Sequence, residues 1–366
     1  MTVYYVGIGG NDGSAGTSWA ARKLTLNGAE NIPVAAGDTV YVGPGTYREL
    51  LTVDVSGSVG SPITYIGDYS GVNTDGVGGI VRITGSDNDQ TGARSNCITA
   101  GGVRTYRTFQ GFLLDTTSTA AIITVYGFAC THWIIQQCAF QSSGSNACVT
   151  LNGQSNNITV QDCLFFSANS TAINIAHTST YDNAAHTIQN CMFLAGAYGI
   201  YDDRVGGITI KNCQFFARNG VYINTALTVG QTITVNNCLF SFENFGVRGT
   251  VAGEIIENYN NFWGNTVDRT NTDTGANSLA YPPLFDPRWF FELVSGSGRI
   301  ISPFDLASYS QLVNVAGTSP TTTDMRGTGT VGSQREWGAL EYDPTLRIAT
   351  SIGVQGGQHG LFKPLV

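Results

Sequence analysis

The sequence predicts an all-β fold: a single-stranded right-handed parallel β-helix, a solenoid in which short strands stack coil upon coil. Three observations predict it. From residue 105 to about 263 the chain repeats a unit of roughly 21 to 28 residues, a period typical of stacked-coil architectures. Within each unit apolar and polar residues alternate with the period of two that belongs to strands, and a polar pair followed by Cys-x-Phe closes the run. The composition agrees, with 46 glycines and a charged fraction of 12%, about half the usual level, so Thr, Ser, Asn and Gly carry most of the surface polarity.

The clearest units are WIIQQCAF (133–140), ITVQDCLFF (158–166), TIQNCMF (187–193), ITIKNCQFF (208–216) and ITVNNCLF (233–240). RTFQGFLL (107–114) precedes them, and IIENYNNFW (255–263) follows with Asn260 where cysteine stood. In the fourth unit Ile208, Ile210, Cys213 and Phe215 point inward and Asn212 stands at a bend. The polar residue before each cysteine (Gln137, Asp162, Asn190, Asn212, Asn237) should form a ladder at that bend, because Asn and Asp tolerate left-handed backbone. Phe140, Phe165, Phe193, Phe215 and Phe240 should stack in the core.

A further short strand follows each unit: AIITV (121–125), CVTL (148–151), AINI (172–175), GIYD (199–202), GVYI (220–223) and FGVR (245–248). Aligned, these place Thr124, Thr150, Asn174, Tyr201, Tyr222 and Arg248 in one outward column.

An open solenoid end invites edge-to-edge pairing and needs a cap. SWAARKLTLNGAE (18–30) predicts one amphipathic helix with Ser18 as its N-cap. The expected organisation is an N-terminal cap over 1–36 and a β-helix over 37–280. An irregular closing segment over 281–342 and an extended apolar C-terminal arm over 343–366 complete it.

Cys138, Cys163, Cys191, Cys213 and Cys238 recur at intervals of 25, 28, 22 and 25, without a CxxC pair or zinc-ligand spacing. They read as a column of free core thiols. The net charge of −8 and the lack of a basic stripe argue against nucleic acid. No run of 18 apolar residues is present, so no membrane span is expected. The start, MTVYYVGIGGNDG, lacks the features of an export signal.

Residues YYVG…NDGSAGTSW…GDTVYVGPGTYRE (4–49) and SPITYIGDYSG (61–71) resemble the right-handed β-helix repeat proteins of the pectate-lyase-like superfamily. PLFDP (283–287), SPF (302–304), TDMRG (323–327) and EWGALEY (336–342) resemble its irregular closing turn. The resemblance spans most of residues 3–342, and its motifs specify fold and capping more than chemistry. It implies carbohydrate chemistry of two kinds. Lyases of the pectate type use an acidic cluster for Ca²⁺ and a basic residue that abstracts a proton beside a uronate. Hydrolases use paired carboxylates.

The residues offer little for either. The outward column holds no carboxylate. Asp202-Asp203-Arg204 is the densest ionisable cluster and reads as a solvated corner with a local ion pair. Asp87 and Asp89 read as an Asx-rich loop without EF-hand spacing. His132 and His186 read as corner hydrogen-bonders, and His177 and His359 sit in no motif. No catalytic set, metal site or cofactor is therefore expected, and an enzyme would have to draw on Asp202, Asp203 and Glu243. Asn174, Tyr201, Tyr222 and Arg248 form the candidate glycan or interface face.

The tail carries Leu346, Ile348, Ile352, Val354, Leu361 and Phe362 with few charges, unlike a disordered polar tail, and suits docking on another subunit. The expected function is thus non-enzymatic: a bacteriophage virion protein, either a capsid decoration (cement) protein or a short spike. Its partners would be capsid or tail proteins, and the homotrimer is implied by resemblance. The alternatives are a tailspike-type glycan-degrading lyase or hydrolase and a non-catalytic glycan-binding module for a host glycan.

Overall fold

The computed structural model describes residues 1–283 except 33, 87–95, 117–120, 126–129, 168, 178–183, 204, 229, 274 and 276, together with the pairs 292–293 and 300–301. Over this span the chain is the predicted right-handed parallel β-helix, with three strand-bearing faces per coil. The first face contains eleven strands among the described residues, from Val3–Val6 and Thr39–Val42 through Thr187–Gln189, Ile208–Lys211 and Ile233–Asn236 to Thr272–Asp273. Its ladder begins at Val3, so strand stacking reaches into the segment read as cap.

A single left-handed residue turns the chain from the first face to the second. Gln137, Asp162, Asn190, Asn212 and Asn237 hold this position with φ between 52 and 55°. Asn is suited to it because its short amide bonds the coil below: Asn190 Nδ2 donates to Asp162 Oδ1 (3.0 Å) and Asn212 Nδ2 to Asn190 Oδ1 (3.2 Å).

The cysteine after this turn is buried and free in all five of these coils. Each Sγ donates to the carbonyl two residues earlier, at 3.1 to 3.3 Å, in all five coils. The thiol therefore packs as a small hydrophobe while serving a carbonyl beside the turn. Asn260 inherits the position. Its Nδ2 donates to Val235 O and Glu257 Oε2, both at 2.8 Å, and its Oδ1 accepts from Cys238 N at 2.8 Å.

The second face carries the phenylalanine stack. Phe140, Phe165, Phe193, Phe215, Phe240 and Phe262 lie 4.7 to 5.0 Å apart and within 9° of parallel. Gly220 and Gly246 back the stack so closely that a Cβ would stand 2.6 and 2.8 Å from the rings of Phe240 and Phe262.

The third face follows at Ile123–Val125, Val149–Gly153, Ile173–His177, Phe245–Arg248 and Val267–Thr270. In two coils the second and third faces fuse into the twelve-residue strands Met192–Asp203 and Gln214–Thr225.

The cap differs from expectation. The helix is Leu26–Glu30, capped by Thr25, whose side chain accepts from Gly28 N. Ser18 caps only the turn to Ala21. The chain cannot be helical between them because Lys23 is extended: its N–H donates to Tyr5 O and its carbonyl accepts from Gly7 N. That backbone covers the edge of the first strand, which a longer helix would leave open. A buried ion pair fixes the helix to the solenoid. Arg107 Nη2 and Tyr65 OH each donate to Glu30 Oε2 at 2.7 Å. The arm residues Leu346, Ile348, Ile352, Val354, Leu361 and Phe362 lie outside the described residues, as do Asp87, Asp89 and His359.

Candidate functional site

The outward column of the third face is assembled as aligned. Thr124 pairs with Thr150, Thr150 with Asn174, Asn174 with Tyr201, Tyr201 with Tyr222, and Tyr222 with Arg248. The column continues upstream to Thr99 and Thr52 and downstream to Thr270. A threonine ladder is thus interrupted at four consecutive coils, by Asn174, two tyrosines and an arginine.

A β-bulge marks the interruption. Ala195 pairs with Ala217 and Tyr198 with Asn219, so the strand Met192–Asp203 carries one extra residue at the corner between faces. Bulges re-aim side chains and increase local twist. Here the bulge brings the Tyr198 ring to 5.2 Å from Tyr201, edge-on, and to 5.0 Å from Tyr222. Tyr201 and Tyr222 stack at 5.8 Å and 13°. Arg248 places its guanidinium 5.0 Å from the Tyr222 ring centre and 4.9 Å from that of Phe245. Asn219, nearly buried, donates from Nδ2 to Ala197 O (3.0 Å) and ties the bulge to the next coil.

These residues surround an open groove of about 300 Å³, lined by Tyr198, Arg218, Asn219, Tyr222, Asn244, Phe245 and Arg248 as well as Ala197. Beside the groove, partial burial, and then the Asp203 carboxylate, raise the Tyr201 hydroxyl above its usual range. The groove presents ring faces and guanidinium groups, an arrangement suited to stacking on the apolar face of a pyranose and bonding its polar substituents.

The carboxylates named from sequence do not enter it. The alternation that turns Tyr201 outward turns Asp202 inward, between Ile175 and Ile223. Asp202 is fully buried and accepts from Val205 N at 3.1 Å, so it is not part of a solvated corner; Arg204 lies outside the described residues. Burial pushes its carboxyl up to about 7 against the backbone N–H groups of Val205 and Gly206. Asp203 does face out, where its Oδ1 accepts from Thr225 Oγ1 (2.6 Å). Glu243 is buried beneath the corner and accepts from Ala217 N (3.2 Å), and burial raises its carboxyl well above the usual range.

A calcium site of the pectate-lyase kind needs several converging carboxylate oxygens. The groove lining supplies none, and no group of three acidic, His or Cys side chains able to hold a metal occurs among the described residues. These residues do not fit that ion. Two histidines serve structural contacts: His132 stacks on Tyr106 at 4.5 Å, and the buried His186 accepts from Ile158 N at 3.2 Å.

Tyr198, Arg218, Asn219, Asn244 and Phe245 escape sequence alignment because they sit at the corner, off the period-two column. Their placement depends on the one extra residue between Ala195 and Tyr198, which the repeat pattern does not carry.

No protein-family model and no curated protein matches the chain. Among solved structures it is similar to pectate lyase Pel9A, with 16% identity, a TM-score of 0.65 and coverage of 94% of this chain and 97% of that one. It is also similar to a rhamnogalacturonan lyase (17% identity, TM-score 0.54, covering 72% and 74%). A mannuronic acid specific family 6 lyase from human gut microbiota aligns at 11% identity and a TM-score of 0.51, covering 78% and 68%. At these identities the likeness establishes the fold, a right-handed parallel β-helix of the pectate-lyase-like kind. No helix among the described residues is long and apolar enough to cross a membrane.

Proposed function

We propose that this protein engages a polysaccharide along its third face, with the chain seated in the groove at Tyr198, Tyr222 and Arg248. One observation carries this: a threonine column gives way, beside a bulge, to three packed tyrosines and an arginine, of which Tyr198, Tyr222 and Arg248 line an open groove. Exposed, mutually buttressed rings lose little conformational freedom when a sugar stacks on them. The lyases that share the fold make degradation of the bound chain the reaction to assay first. The inward orientation of Asp202 and Glu243 argues against a hydrolytic carboxylate pair in this groove, so elimination is the favoured chemistry.

The test is affinity electrophoresis of the full chain through gels containing a panel of neutral, uronate and sulfated polysaccharides, with absorbance of unsaturated products followed in parallel. At least one polymer should retard the protein, and Tyr222→Ala should restore its mobility. Retardation that Tyr222→Ala leaves intact would remove the groove from the account.

The virion reading, a capsid decoration protein or spike assembled as a homotrimer through residues 343–366, draws on the sparse charge, the column without carboxylates and the apolar arm. Light scattering on the full chain and on one ending at Tyr342 separates the two. A trimer that becomes a monomer supports the arm as an assembly element, and equal masses remove it.

A further inference from the structure

We infer that the groove recognises the anionic group of a charged saccharide unit directly, through Arg218 and Arg248, with no divalent cation between protein and sugar. This rests on the glycan-binding reading above and adds the substrate's charge and its mode of capture.

The observation is how this acidic chain distributes its cations. Four arginines elsewhere are matched to carboxylates: Arg82 to Asp115, Arg104 to Asp54 (3.5 Å), Arg107 to Glu30 (2.7 Å) and Arg269 to Glu257 (2.7 Å). Arg218 and Arg248 are not, although the chain carries a net charge of −8. Neither makes an ion pair or a side-chain hydrogen bond among the described residues, and both line one groove with no carboxylate in its wall. The one acid adjacent in sequence, Glu243, is turned into the core, where burial raises its carboxyl well above the usual range. Asp203 is engaged by Thr225 and Asn224.

Two guanidinium groups facing one cleft repel each other until an anion lies between them, and the low charge of the surrounding faces leaves that local field unopposed. Stacking over Tyr222 and Phe245 holds the Arg248 plane in place while its N–H edge makes no other bond. A guanidinium held this way is pre-organised for a two-pronged bond to a carboxylate or sulfate. Tyr198 and Tyr222 then take the ring face of the same or the neighbouring sugar. In pectate-type lyases an acidic cluster gathers Ca²⁺ and the cation meets the uronate; here fixed arginines would supply the positive charge outright.

The test measures affinity of the full chain for three polymers: a polyuronate, the same polyuronate with its carboxylates esterified, and a sulfated galactan. Each is run with EDTA and with added Ca²⁺. The polyuronate, the sulfated galactan or both should bind, the esterified polymer at least tenfold more weakly, with no change in EDTA and a loss as salt rises. Which of the two anionic polymers binds names the anion. Arg218→Gln and Arg248→Gln should each weaken binding about tenfold, while Lys211→Gln on the first face leaves it unchanged. Binding abolished by EDTA, or an esterified polymer bound as tightly as the charged one, overturns the inference. If esterified polymer binds and only Tyr222→Ala releases it, the glycan groove stands and charge recognition falls. If no polymer binds at all, both fall.

Discussion

The first and third faces are built from the same coils, yet their outer surfaces differ in kind. Outside the first face, Thr159, Thr187, Thr209 and Thr234 lie one above another. Beside them the amides of Gln110, Gln136, Gln161 and Gln189 bond one another in a chain at 2.8 to 2.9 Å. Over these coils the amides satisfy one another; the threonine run is bounded by Ile134 and Ile256, and the glutamine chain ends at Lys211. The third face starts as a threonine column too, then breaks at Asn174, Tyr201, Tyr222 and Arg248, gains a bulge and opens a groove. In a repeat protein regularity is a solution to stacking. A departure from it that leaves unpaired cations and packed rings at the surface needs another reason, and ligand capture supplies one.

The largest expected effect falls on both faces alike. Phe215→Ala removes a ring stacked between Phe193 and Phe240, each 4.7 Å away, and should cost about 3–5 kcal/mol in chemical denaturation. A loss under 1 kcal/mol would mean the stack does not hold the coils together.

Next comes a pH effect confined to the third face. Asp202 titrates near 7 when folded and near the ordinary carboxylate value when unfolded, so its folded value is raised. Stability is then full below about pH 4 and falls as pH rises to 7, by as much as roughly 4 kcal/mol. Asp202→Asn should flatten that slope in urea titrations across the window. An unchanged slope would show that Asp202 ionises freely.

Tyr222→Ala should weaken polysaccharide binding roughly tenfold, about 1.4 kcal/mol, and shift the melting temperature by no more than a few degrees. The smallest effect belongs to the first face. Gln161→Ala breaks the amide chain on both sides and should cost about 1 kcal/mol in stability with binding intact. A binding defect in that variant would erase the distinction between the faces.

Much of this architecture was legible in the sequence. The Asn turn, the cysteine column and the phenylalanine stack each recur once per coil, so alignment of the repeats sets their register, and the column from Thr124 to Arg248 follows in the same way. What alignment could not supply is tied to single departures from the repeat. Lys23 is extended because an edge strand needs cover, which amphipathic spacing does not encode. The orientation of Asp202 follows from alternation, but a pair of acids in a polar corner looks solvated until its neighbours Ile175 and Ile223 are placed. Tyr198 joins the site through one inserted residue whose position no period reveals.

The central claim is that function lies on the third face at the break in the column and not on the regular first face. Two triple variants test it: a groove variant, Tyr198→Ala/Tyr222→Ala/Arg248→Ala, and Thr187→Ala/Thr209→Ala/Thr234→Ala on the ladder. Both are checked for folding by thermal unfolding and then run in affinity electrophoresis against the polymer that retards the wild type. The account predicts that the groove variant migrates as though no polymer were present and the ladder variant is retarded like the wild type. The reverse pattern would contradict it.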